Sequence, residues 1–334
     1  MVDICELKYK VVVVDGKGGR NNITDYIENL GWEENDKEIS VHSSFTARND
    51  NTSKGYLSSL IKPNCLMIIY ADGDGSGFRE VARGSVATWE HTRQNSAHAL
   101  RCTAYDSLYN LQKSQDNFFF PSGTGTKARI EKVLNKWGIS LGKYDGPNKK
   151  HGKKKYQNKY LSDIILDILD DSAKKGSSKC IIRQEKGKTQ IIKRGSNKDI
   201  YLFKGSNTKI TNHLISIADM VTRVKIIGKE KKGGKNKVIA VLNGSTKYGV
   251  RQRIYTRGAD ESLADAKSAA KAILDDDGDA KDEVTVQAPD VPYVRKGDLV
   301  YIKIGSIKGY YYVLGVRHDA DTCSMSMDLE KKKR

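Results

Sequence analysis

Apolar residues recur along this chain at two periods, and the changes of period mark its organisation. In "ISVHSSFTA", Ile39, Val41, Ser43 and Phe45 alternate with Ser40, His42, Ser44 and Thr46, which predicts a half-buried strand. "YKVVVV" ends at the turn signal "DGKGG", and "CLMIIYA" precedes "DGDGSG", so both read as strands leading into turns. Alternation through Leu100, Cys102 and Ala104 then gives way to a short helical run with Leu108 and Leu111. "ITDYIENLGW" fits either a helical turn or a strand. Residues 1–118 thus predict a mostly strand-built barrel or sandwich.

The period then lengthens. Ile130, Val133, Leu134 and Trp137 fall at i, i+3, i+4 and i+7, which predicts a helix over 126–137, capped by Thr126 or Thr124 and stopped at Gly138. Leu161, Ile164, Ile165, Ile168 and Leu169 form the stripe of a second helix, with Gly176 as its stop. Residues 180–195 read as a hairpin turning at Lys186-Gly187. The span 119–217 is therefore a mixed α+β region.

Strands return over 218–334. "MVTRVKIIGKE" and "KVIAVLNG" would pair, and "DLVYIKI", "YYYVLGVRH" and "CSMSMDL" would form a meander. In the last, Cys323, Met325, Met327 and Leu329 share one inward face. An Ala-rich helix is inserted near 262–275, with Ser262 and Asp265 as a capping box. The expected class is α+β, mostly β, with a mixed middle region between two strand-rich ones that could be diverged copies of one barrel.

At 334 residues the chain is long enough for two or three cores. Its net charge of +17 would suggest nucleic acid, but the excess is carried by 42 Lys against 16 Arg. Arginine is the usual reader of phosphates and bases, so specific nucleic-acid binding is not expected. The basic clusters at 143–160 and 225–237 are Gly- and Asn-rich and read as solvated loops, with contact to an acidic partner surface as the alternative. Tyr144, Tyr156 and Tyr160 are too few for a stacking platform. Five scattered cysteines without CxxC spacing fit reduced thiols, and Cys102 and Cys323 read as small core residues. "MVDICELKYK" has no apolar signal core, and no stretch reaches the ~18 apolar residues of a membrane helix. The protein is expected to stay where it is made unless it leaves within a larger assembly.

Candidate chemistry changes this picture little. Asp72, Asp74, Ser76 and Gly77 imitate the start of a calcium loop, but position twelve is Arg83, and Glu80 at position nine does not replace the missing bidentate carboxylate. A hairpin turn is the better reading. "GTGTKARI" lacks the P-loop lysine position, and "DGKGGRNN" lacks the surroundings of a dinucleotide site. His42, His91, His98, His151, His213 and His318 have no metal-ligand spacing, and no GxSxG elbow is present. Glu28, Glu33 and Glu34 would be the first carboxylates to test for sugar hydrolysis, though nothing selects them. The acidic stretch Asp275, Asp276, Asp277 and Asp279 reads as solvated or as a partner contact. No catalytic, cofactor-binding or metal-ligating residue is assigned, and a non-enzyme without cofactors is expected.

Three segments carry a family resemblance: "LRCTAYDSLYNLQKSQDNFFFPSGTGTKARIEKVLNKWGI", "ISIADMVTRVKIIGK" and "VRKGDLVYIKIGSIKGYYYVLGVRHDADTCSMSMDLE". Together they resemble the XkdQ-like baseplate hub proteins of PBSX-type prophage tails and diffocin-like contractile bacteriocins, related to the late control gene D hub family. The resemblance implies two tube-type β-barrel domains, 1–118 and 218–334, flanking a mixed peripheral domain at 119–217. It implies a homotrimer that adapts a hexameric tail tube to a trimeric central spike. Implied partners are the tail tube protein, the spike protein, other baseplate proteins and the tape measure protein. Assembly would take place in the bacterial cytoplasm, ending in the tail or bacteriocin particle. A peptidoglycan-degrading tail hydrolase is the alternative reading.

Overall fold

In the computed structural model, residues 7–94, 97–228, 236–258 and 261–333 are described. Strand accounts for 49% and helix for 17%, so the class is α+β and mostly β, as the alternating patterns predict.

A thirteen-stranded sheet collects strands from both ends of the chain. From one margin it runs through Arg20–Asn22, Lys8–Val14, Leu66–Asp72, Arg79–Gln94, Ala97–Tyr105, His42–Arg48 and Ile27–Glu34. It then crosses to Ile307–Asp319 and continues through Ser324–Lys331, Lys281–Pro289 and Lys209–Ser216. The long strand Ile307–Asp319 makes this crossing work. Its second half pairs with Ile27–Glu34, while its first half pairs with Leu299–Ile304, which carries Leu202–Lys204 in parallel.

Alternation accounts for the two cores on this sheet. Val11, Val13, Phe45, Met67, Ile69 and Leu100 are buried in one, together with Leu57 of the short helix α1 (Leu57–Leu60). Val284, Val286, Val300, Val313, Met325 and Met327 are buried in the other. A third core lies among α2 (Tyr109–Lys113), α3 (Thr126–Lys136), α4 (Leu161–Lys174) and the hairpin Cys180–Glu185 with Lys188–Lys193. On α4, Leu161, Ile164, Ile165, Ile168 and Leu169 are all buried, at about 1.5–3 kcal/mol each. A fourth, small core lies between α5 (Leu263–Asp277) and the sheet formed by Arg223–Ile227, Val238–Asn243 and Gln252–Thr256.

Several local expectations need correction. The sheet is open, with no closed barrel among the described residues; backbone pairing merges the two strand-rich regions into one sheet instead of closing each on itself. Part of the basic stretch 143–160 is not a loop. Lys154–Tyr160 is a strand on Gln115–Phe120, held by the buried Tyr156 beneath its exposed lysines. The start of α3 is capped by Gly125 without a side-chain bond, because the Thr126 hydroxyl is engaged with the Lys149 carbonyl, His151 and Ser172. Cys323 is not in the last strand, which begins at Ser324; it sits half-buried in the preceding turn at φ 47°. "ITDYIENLGW" resolves into a 3-10 turn at Thr24–Tyr26 followed by strand Ile27–Glu34. Cys5 and residues 229–235 of the second basic cluster lie outside the described residues.

Candidate assembly site at the seam of the sheet

The crossing between Ile27–Glu34 and Ile307–Asp319 joins Gly31 to Asp319, Trp32 to His318, Glu33 to Arg317 and Glu34 to Val316. Glycines let the two backbones approach. A Cβ on Gly31 would lie 3.0 Å from the His318 carbonyl oxygen, and one on Gly315 would lie 3.1 Å from that of Glu34. Just beyond, the Asp321 carboxylate accepts from the backbone N–H groups of Asn29 and Leu30, at 2.6 and 3.1 Å.

One face of the seam carries a buried polar chain. His318 reaches the buried Asp290 carboxylate through Nδ1 at 2.6 Å and the Val294 carbonyl through Nε2 at 3.1 Å. The Tyr9 hydroxyl donates to the other Asp290 oxygen. Burial, then the Asp290 carboxylate beside it, pushes the Tyr9 phenol up. Residues 9, 290 and 318 are thereby tied in one network. A tyrosine, an aspartate and a histidine so placed resemble a catalytic relay, but Asp290 and His318 are sealed from solvent. The arrangement locks geometry.

The same buried face of the strand carries an ion pair two positions beyond Trp32, at Glu34. Arg295 grips Glu34 with two bonds of 2.8 and 3.0 Å and donates a third to the Gln184 carbonyl at 2.7 Å. Burial works against ionising Glu34, yet Arg295 outweighs it and holds the carboxyl below its ordinary range. Lys296 adds donors to the carbonyls of Asn35, Asp36 and Glu38, and Arg183 bonds Asp298 at 3.0 Å. First strands, middle hairpin and last strands meet in these contacts.

The structure distributes the remaining candidates over other tasks. Asp72 and Asp74 accept from Gly75 and Ser76 within the hairpin turn, and Arg79 pairs with Asp74. Glu28 is exposed 3.9 Å from Arg48, Glu33 bonds His42 at 2.9 Å, and Glu34 belongs to the seam. Successive strand positions turn Glu33 and Glu34 to opposite faces, so these carboxylates are not brought together. His91 and His98 stack across a strand pair at 5.7 Å. The acidic end of α5 meets cations of its own chain, Asp276 with Lys179 and Asp277 with Arg253. Asp290 and Arg295 were missed by sequence reasoning. The run "PDVPYVRKGD", with charges beside a rigid Pro-rich bend, was their only local signal.

Comparison with known proteins decides the family. A family model described as YQBQ-like matches residues 45–332. This chain belongs to the YQBQ-like family. A relative of this YQBQ-like chain, the phage-like element PBSX protein XkdQ of Bacillus subtilis (strain 168), is 28% identical over 260 residues, covering 75% of this chain and 78% of the relative. The tail protein from Neisseria meningitidis MC58 shares the fold at 14% identity over 97% of each chain, with a TM-score of 0.69. The 43 kDa tail protein of prophage MuSo2 from Shewanella oneidensis shares it at 12% identity over 96% of this chain and 98% of that one, with a TM-score of 0.67. The YQBQ-like assignment agrees with the resemblance carried by the sequence segments.

Proposed function

We propose that the chain is a structural protein of a phage-tail baseplate, acting as a homotrimeric hub between a hexameric tail tube and a trimeric central spike. Family membership and a fold shared along nearly the whole chain with tail proteins support the tail role. The observation that carries the hub reading is the single open sheet to which both ends of the chain contribute. Residues 1–118 and 218–334 are read as two tube-type modules in fixed relation, and 119–217 as a peripheral domain. Three chains would then offer six modules to a sixfold tube.

Ring closure needs free margins. Among the described residues the sheet has them: Lys209–Ser216 pairs on one side only with Lys281–Pro289, and Arg20–Asn22 pairs only with Lys8–Val14. Unpaired strand edges are templates for another chain, and a heterologous contact that closes generates a ring. The tail tube, spike, other baseplate proteins and tape measure protein are the partners of this reading, in a contractile phage or bacteriocin particle.

Native mass spectrometry of the protein alone and mixed with tail tube and spike proteins tests it. The expected species is three times the 37.2 kDa chain, alone or in complex. A chain that remains single in the full mixture would remove the hub reading.

A further inference from the structure

Among the described residues, the small sheet of Arg223–Ile227, Val238–Asn243 and Gln252–Thr256 is covered on one side only. Val224, Ile226, Leu242 and Tyr255 pack against Ala266, Ala270 and Ile273 of α5. Strand alternation sends the intervening side chains the other way. The register sets Lys225 beside both Val241 and Ile254, and Ile227 beside both Val238 and Thr256. Val238, Val241 and Ile254 are 48%, 44% and 57% exposed. The sheet is mixed, with Arg223–Ile227 antiparallel to Val238–Asn243 and parallel to Gln252–Thr256. A solvated sheet face ordinarily carries polar residues and parallel pairs are ordinarily covered on both faces, so this apolar row calls for a cover.

Charge on the open face has one sign. Its nine paired positions are Arg223, Asn243 and Gln252, then Lys225, Val241 and Ile254, then Ile227, Val238 and Thr256, with two cations and no carboxylate. The neighbouring acids are turned to the helix side, where Asp277 pairs with Arg253 and Glu261 bonds the Tyr255 hydroxyl.

We propose that this face docks an acidic, apolar segment of another polypeptide. Carboxylates flanking apolar residues would complement Arg223 and Lys225 around the Val238, Val241 and Ile254 row. A second copy of this chain fits poorly, because like faces would set Arg223 and Lys225 against their equivalents in a chain of net charge +17. Single-stranded nucleic acid would need aromatic platforms, and the nine positions hold none. The inference stands apart from the hub reading, since none of the nine positions belongs to either margin strand, Lys209–Ser216 or Arg20–Asn22.

A photo-crosslinking amino acid at Ile254 of the full chain, introduced in the bacteria that produce it, tests the proposal, with Lys267 on the exposed side of α5 as the control position. Adducts are mapped by mass spectrometry. The expected adduct at Ile254 is a segment of a different polypeptide in which acidic residues outnumber basic ones and flank apolar ones. Its yield should fall at least tenfold with Arg223→Glu and Lys225→Glu together, at unchanged Tm. If that pair lowers Tm, Arg223→Gln with Lys225→Gln should still reduce the yield about threefold. Adducts to the same chain, to phospholipid or to nucleic acid would overturn the proposal. So would a yield no higher than at Lys267, or one indifferent to removal of the cations in a folded variant.

Discussion

Trp32 and His318 stack ring on ring, their centroids 4.6 Å apart and their planes within 13°, across the backbone pairing that joins the two ends of the chain. Tyr9 meets Trp32 edge-on at 5.8 Å while its hydroxyl reaches Asp290. The stack and the hydrogen bonds therefore constrain the same few residues, and rotation of one strand about the other would break both. A sheet built from segments nearly 290 positions apart gains a fixed geometry at this point.

Replacing His318 with alanine should be among the costlier single changes in this chain. It removes a stacked ring and leaves the buried Asp290 carboxylate with Tyr9 as its remaining side-chain partner. Removing one partner from a buried charged group costs about 3–5 kcal/mol. Urea unfolding should show that loss, whereas a change below ~1 kcal/mol would mean that the network contributes little.

The Glu34 and Arg295 pair makes a different prediction. Arg295→Ala strands a buried carboxylate and should destabilise by about 3–5 kcal/mol, but Glu34→Leu with Arg295→Met should recover most of that, because apolar replacements of buried pairs are often neutral or better. The double variant still loses the bond to the Gln184 carbonyl. Limited proteolysis should then cut the middle hairpin faster at nearly normal overall stability. Equal losses in the single and double variants would contradict this account.

Local pattern was enough to read the elements, and not enough to read how they meet. Met325, Met327 and Leu329 alternate with polar residues and lie buried as that alternation requires, and Lys186-Gly187 turns its hairpin with both residues at positive φ. Lys154–Tyr160 was hidden because only Tyr156 on that strand is buried, leaving lysines to dominate the letters. The seam was hidden for another reason. Register between Trp32 and His318 is set by long-range tertiary contacts, and Glu34 or Asp290 looks locally like any surface acid. Glycine close-packing at Gly31 and Gly315 likewise depends on a partner strand that sequence spacing does not reveal.

His151 should give stability an acid limb. Its Nε2 lies 2.9 Å from the Thr126 hydroxyl and 3.2 Å from that of Ser172 in a buried cluster. Burial, followed by Lys175, Arg129 and Lys154, pushes its pKa down from 6.5 to about 4. The unfolded chain binds the proton more readily, so this contribution is fully present above pH ~6.5 and is lost as pH falls towards about 4. Thermal melts of His151→Gln and the parent should therefore converge on acidification through that window. Parallel curves would show that the imidazole does not titrate differently on folding.

Gly84→Ala should destabilise although its backbone needs no positive φ. A Cβ there would sit 2.6 to 2.8 Å from three backbone atoms of Tyr105 on the neighbouring strand, and a paired backbone cannot swing aside as a side chain can. Overpacking of this kind costs about 1–3 kcal/mol. Gly75→Ala is the comparison: nothing lies within 4 Å, but φ is +72°, so its smaller expected cost, about 1 kcal/mol, is conformational. Similar losses at both sites would remove the steric explanation.

The margin strand Lys209–Ser216 yields the prediction that bears most directly on assembly. Leu214 and Ile215 are 46% and 63% exposed, on a strand whose second edge is unpaired among the described residues. Edge strands are normally short or guarded by charge, and this one has eight residues with two adjacent apolar side chains at its far end. If it receives the next copy, Leu214→Lys with Ile215→Lys should abolish the trimer while moving Tm of the single chain by little, since exposed substitutions usually fall within about 0.5 kcal/mol. Proline at Asn212 would separate backbone pairing from side-chain contact, because it removes a donor without altering either apolar residue. Asn212 faces Thr285 beside a register irregularity, so the sheet should tolerate the change better there than in a central strand. Trimers that survive both variants would place the contact between copies somewhere other than this margin.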